Sequence, residues 1–395
     1  MTWLTADIEG IGGIYKETPE DFIVDEIPLY PCSGSGEHLY LRVEKCGITT
    51  SELIARLARG LHLKERDIGY AGLKDSRALT RQWISIPASR ENQVAELNLS
   101  NVRIGERYRH GNKLRPGHLA GNHFTICLRQ HKSNAVSRAE TILDILRKRG
   151  VPNLFGEQRY GILGNSALLG RLLLQRDFPR FIRELLGDPE QIQHPGWQRA
   201  AAAYRQGDLQ QSLATLPSAM RVERRLLSDL IRGKSQKQAV LAIPKQRLRL
   251  FLSALQSRFF DELLLRRIDA PDQLVTGDIA MKHDNGACFR VEDEHAEQPR
   301  ADRFEISPTA PLFGHKAMLA RHQPGHAEED LLQQAGLTLE SWKIGPGLDM
   351  PGERRALRVP LQQPRIVEAA KDRLTLSFAL PKGSYATSVL RELIK

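Results

Sequence analysis

Cysteine is scarce and dispersed: Cys32, Cys46, Cys127 and Cys288 stand far apart, with no Cys-x-x-Cys pair among them. That excludes a zinc ribbon or a dithiol redox motif, and the residues read as free thiols of a reducing compartment. No segment has the uninterrupted apolar length of a membrane span, and the amino terminus lacks a basic region followed by an apolar run, so a cytoplasmic protein with no membrane partner is expected. Walker and dinucleotide glycine patterns are missing, as are tandem repeats and low-complexity tracts. His322 and His326 have the i, i+4 spacing of a metal pair, but Pro324 and Gly325 between them are expected to break the helix such a pair needs. No metal is expected. Clustered carboxylates are absent too, which argues against a metal-dependent nuclease.

What is abundant is positive charge. The 395 residues carry 57 Lys and Arg against 47 Asp and Glu, a formal charge of +10, and the isoelectric point is near 9.5. A polyanionic partner such as nucleic acid is favoured over a basic small molecule. The Arg-rich patches recur at 103–115, 221–232 and 354–358 and form no single tail. Their spread predicts a folded, distributed phosphate-contacting surface. A chain of this length has room for two or three domains with sizeable cores.

In chain order, a Pro-led turn with Lys16 and Phe22 on its flanks enters a short strand, and His38 to Glu44 alternates as another. Thr50 to Leu61 has helical spacing, and Gly69 to Ile86 runs from small residues through Lys74-Asp75 into a strand where Gln82, Ile84 and Ile86 alternate with Arg81, Trp83 and Ser85. A basic loop from Arg103 to Arg115 then leads to Asn122 and to a strand beginning at Phe124. Val136 to Arg149 is an amphipathic helix stopped by Gly150. From Ile162 to about Ile268 the spacing turns helical, and strand-like text returns weakly near 275–280 and 288–291. The tail closes with a strand at Leu374 to Leu380 and a helix at Ser384 to Leu393. A mostly helical region thus interrupts a mixed one, and the terminal segments are expected to rejoin the sheet begun before residue 150.

Local spacing alone assigns little chemistry. Asp75 reads as a turn or capping aspartate, Asn122 as a turn residue after Gly121, and Phe124 as a core ring.

Several unusual stretches nonetheless occur together and in order: Pro19-Glu20-Asp21-Phe22, Tyr70-Ala71-Gly72-Leu73-Lys74-Asp75, Gly121-Asn122-His123-Phe124, Pro152 to Gly161 (PNLFGEQRYG), and Leu380 to Leu393 (LPKGSYATSVLREL). As a set, spanning nearly the whole chain, they closely resemble the TruD family of tRNA pseudouridine synthases. The resemblance implies an α+β fold: a pseudouridine-synthase catalytic domain, mostly antiparallel sheet with flanking helices, interrupted by an inserted, largely helical TRUD domain. It places the catalytic domain at 1–155 and 349–395 and the insertion at 156–348. By matching position it makes Asp75 the catalytic aspartate, sets Lys16 and Phe22 beside it, and assigns Asn122 and Phe124 to an Asn-x-Phe motif. Lys74 completes a Lys-Asp pair. Tyr385 stands where family members often carry Phe, at a site associated with the substrate base. The substrate implied is tRNA, at uridine 13 of the D arm, with a monomer and no protein partner expected.

That reaction breaks the bond from uracil N1 to C1′ of ribose and rejoins the base through C5. It is an isomerisation that needs no cofactor, and a uridine in folded RNA must first be extruded, at a cost of a few kcal/mol. Asp75 would have to be ionised, whether it acts at C1′, at C6 or on a sugar proton, and the sequence does not separate these routes. An adjacent Lys16 would lower its pKa and hold it, Phe124 would stack on the extruded base, and Asn122 would hydrogen-bond nearby. Phe22 and Tyr385 would pack against the site, and Lys74 faces either a phosphate or the carboxylate. The rival reading is an RNA-binding protein without catalysis, such as an RNA chaperone or processing cofactor. It needs the basic surface but no ionised Asp75 beside Lys16.

Overall fold

The computed structural model describes residues 3–395. They divide into two units, one made of the chain up to Val151 together with Val359–Lys395, the other of Pro152–Arg358.

The first unit is built on one mixed sheet. Its strands are β1 (Phe22–Pro28), β2 (His38–Lys45), β3 (Gly69–Tyr70), β4 (Leu79–Pro87), β5 (Val102–His110), β6 (Leu119–Arg129), β7 (Gln362–Ala369) and β8 (Arg373–Pro381). They lie in the order β7-β8-β6-β1-β4-β2-β5, with β3 added to β4. β1 and β4 pair in parallel while β1 with β6, β6 with β8 and β2 with β4 are antiparallel. The carboxy-terminal strand thus rejoins the sheet begun before residue 150, as expected, and it does so beside β6. Period-two burial explains the register: Phe22 and Val24, Ile84 and Ile86, and Phe124, Ile126 and Leu128 are all buried on strands whose partners keep them on one face.

Helices cover that face. In α1 (Thr50–Gly60), Leu53, Ile54 and Leu57 pack on Leu39, Leu41 and Val43 of β2. Thr49 caps its start, accepting from the Glu52 amide. α2 (Ala135–Arg149) ends at Gly150, whose φ of 91° suits glycine, and α3 (Ala386–Ile394) closes the chain.

The second unit is helical first: Ser166–Gln175, Phe178–Leu186, Pro195–Arg205, Leu209–Thr215, Arg221–Ile231, Gln236–Leu241 and the long helix Lys245–Leu265 follow one another. A small sheet follows, with strands in the order Glu353–Ala356, Ile306–Leu312, Ile279–Lys282 and Cys288–Arg290. The long helix buries residues around most of its circumference, among them Leu248, Leu252, Leu255, Phe259 and Phe260. That makes it the core element of this unit.

The structure corrects three expectations. Arg103 to His110 is not loop but the edge strand β5, whose arginines are exposed; a charged edge strand discourages pairing with other chains, and polarity hid its period. His322 to Gln334 is a continuous helix despite Pro324 and Gly325. Pro324 lies in the first turn, where an amide has no intrahelical acceptor to lose. The patch 354–358 is not a phosphate-binding surface. Arg354 is 8% exposed, donates to Glu328 at 2.8 Å and to the Thr309 hydroxyl at 2.8 Å, while Arg358 is 1% exposed, with its guanidinium 4.3 Å from the centre of the Phe304 ring. Buried arginines are tolerated because each is paired or hydrogen-bonded.

Candidate active site

The turn that follows β3 is held from several sides. Gly69 opens it in a space with no room for a side chain, since a Cβ there would meet the Leu114 carbonyl and the Ser85 hydroxyl. Past it, the Lys74 amide donates to the Thr50 hydroxyl at 2.9 Å, and Thr50 donates in turn to Gln82 at 3.0 Å. The Gly47 amide donates to the Ser76 carbonyl at 3.1 Å, and the Lys45 ammonium to the Asp75 carbonyl at 2.9 Å. The segment from the end of β2 to the start of α1 therefore cradles residues 74–76 through their main chain.

Asp75 projects from this mount with its side chain 32% exposed. Its Oδ1 accepts the Arg77 amide at 3.0 Å and its Oδ2 the Lys16 ammonium at 2.5 Å. Burial alone would push the carboxyl up, but the Lys16 hydrogen bond, the Arg77 amide and the charges of Lys16 and Lys45 outweigh it and hold the group below the usual aspartate range. The group is ionised at neutral pH.

Lys16 arrives from a distant part of the sequence, and two features fix it. Ile14 forms a two-way bridge with Arg129 on β6, and beyond the Pro19 turn Asp21 accepts the Arg129 guanidinium, with Nη2 to Oδ1 at 2.7 Å. Lys16 sits between these anchors with φ of 64°, a left-handed conformation that costs a non-glycine residue on the order of 1 kcal/mol. The strained backbone aims its ammonium at Asp75 and over the Phe22 ring, 4.3 Å from the centroid.

Phe22 and Phe124 meet edge to face at 6.1 Å, and Phe124 packs on Phe378 at 5.6 Å. They are 5% and 6% exposed. Phe124 is therefore mostly a core ring, because β6 is flanked on both sides by paired strands. Asn122, two residues earlier on the same face, is half-buried and its side-chain oxygen has no hydrogen-bond partner. It lies in register with Glu26 on β1 and Leu380 on β8. Tyr385, 38% exposed, precedes α3 just beyond β8, at the same end of the sheet as Asn122. The rim nearby is closed by the Gly117 amide on the Ala71 carbonyl at 2.7 Å and the Lys382 ammonium on the Gly117 carbonyl at 3.2 Å.

Lys74 is not the partner of Asp75. Its ammonium, on a side chain 5% exposed, stands 2.6 Å from Glu26 Oε2, which is 1% exposed. That buried pair closes off a phosphate-binding role for Lys74. Sequence reading missed both Glu26 and Lys45. A signal was present: each is a charged residue at an inward position of an alternating strand, Glu26 after Phe22 and Val24, Lys45 after Leu39, Leu41 and Val43.

Among the described residues no group of three His, Cys, Asp or Glu side chains could hold a metal ion, and no helix is long and apolar enough to cross a membrane.

The arrangement, an ionised carboxylate on a rigid turn, one lysine across it and aromatic rings behind, invites comparison with known proteins. The curated tRNA pseudouridine synthase D of Syntrophotalea carbinolica is 52% identical over 393 residues, covering all of this chain and 98% of that one. That of Geobacter sulfurreducens is 50% identical over 394 residues, covering 96% of its length. Among solved structures, a Methanosarcina mazei chain provisionally assigned as tRNA pseudouridine synthase D (TruD) superposes with a TM-score of 0.85 at 28% identity, covering all of this chain and 96% of that one. The family profile of tRNA pseudouridine synthase D (TruD) matches residues 1–393, and with full-length relatives at this identity the chain belongs to the TruD family.

Proposed function

We propose that this chain isomerises a uridine of tRNA to pseudouridine, most specifically uridine 13 of the D arm, and that Asp75 is the side chain whose charge the reaction requires. The observation that carries the reading is the 2.5 Å contact of Lys16 with Asp75 on a turn fixed by its main chain, within a family of tRNA pseudouridine synthases. Action at C1′, at C6 or on a sugar proton all need an ionised carboxylate, and the site supplies one. Asn122, whose buried side-chain oxygen has no partner, is placed to hydrogen-bond near the extruded base. Phe22 and the small exposed edge of Phe124 form the wall behind that base, and Tyr385 stands at the rim for stacking. The exposed Arg103 and Arg107 of β5 and Arg221, Arg225 and Arg232 of the second unit are available to phosphates. We assign the isomerisation to residues 1–155 and 349–395, in a monomer working in the cytoplasm.

The test is Asp75→Asn, which keeps size and removes charge. Pseudouridine formation on tRNA, read by chemical labelling, should vanish while tRNA binding persists. Full turnover by the variant would sink the assignment, and absence of pseudouridine with the unaltered chain would favour an RNA-binding protein without catalysis.

A further inference from the structure

Lys45 is a buried charge that packing alone does not explain. It is 1% exposed, and its ammonium donates to the Ile48 carbonyl at 2.7 Å and to the Asp75 carbonyl at 2.9 Å. Among the described residues no carboxylate comes within ion-pair distance of it. Keeping an unpaired ammonium out of water is unfavourable, and an apolar side chain of similar volume would remove that cost. Two main-chain carbonyls offset only part of it.

The compensating charge is one residue further out. The carbonyl held by Lys45 belongs to the residue whose carboxylate is held by Lys16, so Asp75 is gripped at its main chain from below and at its side chain from across the site. The groups facing Lys45 support this. Asp75 and Lys74 come from the turn and the Cys46 thiol from the end of its own strand, while the flanking strands offer the neutral Thr80 and Val102 as its register partners. Asp75 is the only one of these whose charge favours the ammonium strongly, since Lys74 is itself paired with Glu26.

We infer that Lys45 is a positioning residue for the isomerisation: it fixes the main chain of Asp75 and supplies a second positive charge that holds the ionised carboxylate in place. The inference rests on Asp75 being the reactive carboxylate. It has a consequence that a purely structural lysine lacks. Burial, only partly offset by Asp75, brings the Lys45 ammonium down to about 8, so its charge is lost as pH rises through that value. Below that pH the second cation is present, and above it the amine still donates hydrogen bonds but no longer carries charge.

The experiment is single-turnover pseudouridine formation from saturating tRNA between neutral pH and about pH 9.5, a span set to cross the titration of a lowered lysine. It uses the unaltered chain, Lys45→Met and Lys45→Arg, with melting temperatures measured alongside. The unaltered chain is expected to lose rate through a limb near pH 8. Lys45→Met is expected to be slower by about tenfold or more at neutral pH, the size of one lost charge contact, with KM unchanged and the limb gone. Lys45→Arg, which keeps its charge throughout, should recover part of the rate and show no limb. A flat profile in the unaltered chain, or a Lys45→Met variant with the same limb and the same rate per folded molecule, overturns the inference. Should Lys45→Met fail to fold, the first of these outcomes still decides. No pseudouridine with the unaltered chain is a different failure, that of the proposed activity itself.

Discussion

Glu26 takes the ammonium of Lys74 at 2.6 Å, with both side chains almost wholly out of water, and so leaves the neighbouring Asp75 to Lys16. Two consecutive residues thereby point to different partners: one locks the turn into the sheet, the other faces solvent with its charge intact. The first pair is tested by its energetics. Removing one member of a buried pair strands the other, so Glu26→Leu or Lys74→Met alone should cost on the order of 3–5 kcal/mol, and the double variant much less than the sum. Urea unfolding of the four proteins gives the coupling. Additive losses would mean that the pair is not what holds the turn.

The second pair is tested by pH. The Asp75 carboxyl is pushed up by burial but held below its usual value by the Lys16 hydrogen bond and by positive charge. In Lys16→Met the burial remains and the hydrogen bond and its charge go, so the carboxyl titrates higher. The acid limb of the single-turnover rate should therefore move to higher pH. A limb that stays in place while the rate at neutral pH falls would assign Lys16 to substrate contact and not to the state of Asp75. The same depression stabilises the fold above the unfolded aspartate pKa, a contribution lost as pH falls through the folded value.

Phe124 is 6% exposed between Phe22 and Phe378, so its truncation acts first on the core. Phe124→Ala should lower stability by about 3–5 kcal/mol. At a temperature where the variant remains folded, the rate per folded molecule measures what the ring contributes to the base. A large loss of turnover with an unchanged melting temperature would reverse this order and make the ring a stacking surface first.

How much of this was legible beforehand depends on what carried the signal. Elements with a clean period were readable: β4 from Gln82, Ile84 and Ile86, α1 from Leu53, Ile54 and Leu57, and the carboxy-terminal strand from Leu374 to Leu380. β5 was not, because its inward positions are few and its arginines outnumber them. Asp75 looked like any turn aspartate, since its significance lies in Lys16, 59 positions away, and no local spacing encodes that distance. The motif set supplied it. Lys74 was misdirected by adjacency: neighbouring side chains on a turn need not share a partner, and Glu26 was hidden among the inward residues of β1. The Arg354 and Arg358 patch misled for the opposite reason. Composition counts charges but not their burial, and these two face a carboxylate, carbonyls and a ring inside the second unit.

Within the second unit, the PNLFGEQRYG stretch is held by a buried carboxylate. Asp261, on the helix Lys245–Leu265, accepts the Phe155 amide at 2.9 Å and the Tyr160 hydroxyl at 2.6 Å, and so ties both ends of that stretch to the helix. Burial pushes its carboxyl from 3.8 up to about 6, against the pull of Tyr160, the Phe155 amide and the nearby arginines. A carboxyl whose pKa is raised on folding favours the folded state most when it is protonated. Its contribution is full below the unfolded value and is lost as pH rises through the folded one. Asp261 should therefore cost the protein about 3 kcal/mol on going from below pH 4 to pH 7, the product of the shift and the free energy of one pKa unit. Depressed carboxylates such as Asp21 and Asp75 act in the opposite sense, so the effect is read as a difference. Asp261→Asn keeps an acceptor for the Phe155 amide and has no charge to bury. Melting temperatures of the unaltered chain and the variant, compared at intervals from pH 4 to 7, should diverge in favour of the variant as pH rises; curves that stay parallel would mean that Asp261 is as ionised in the folded chain as in the unfolded one.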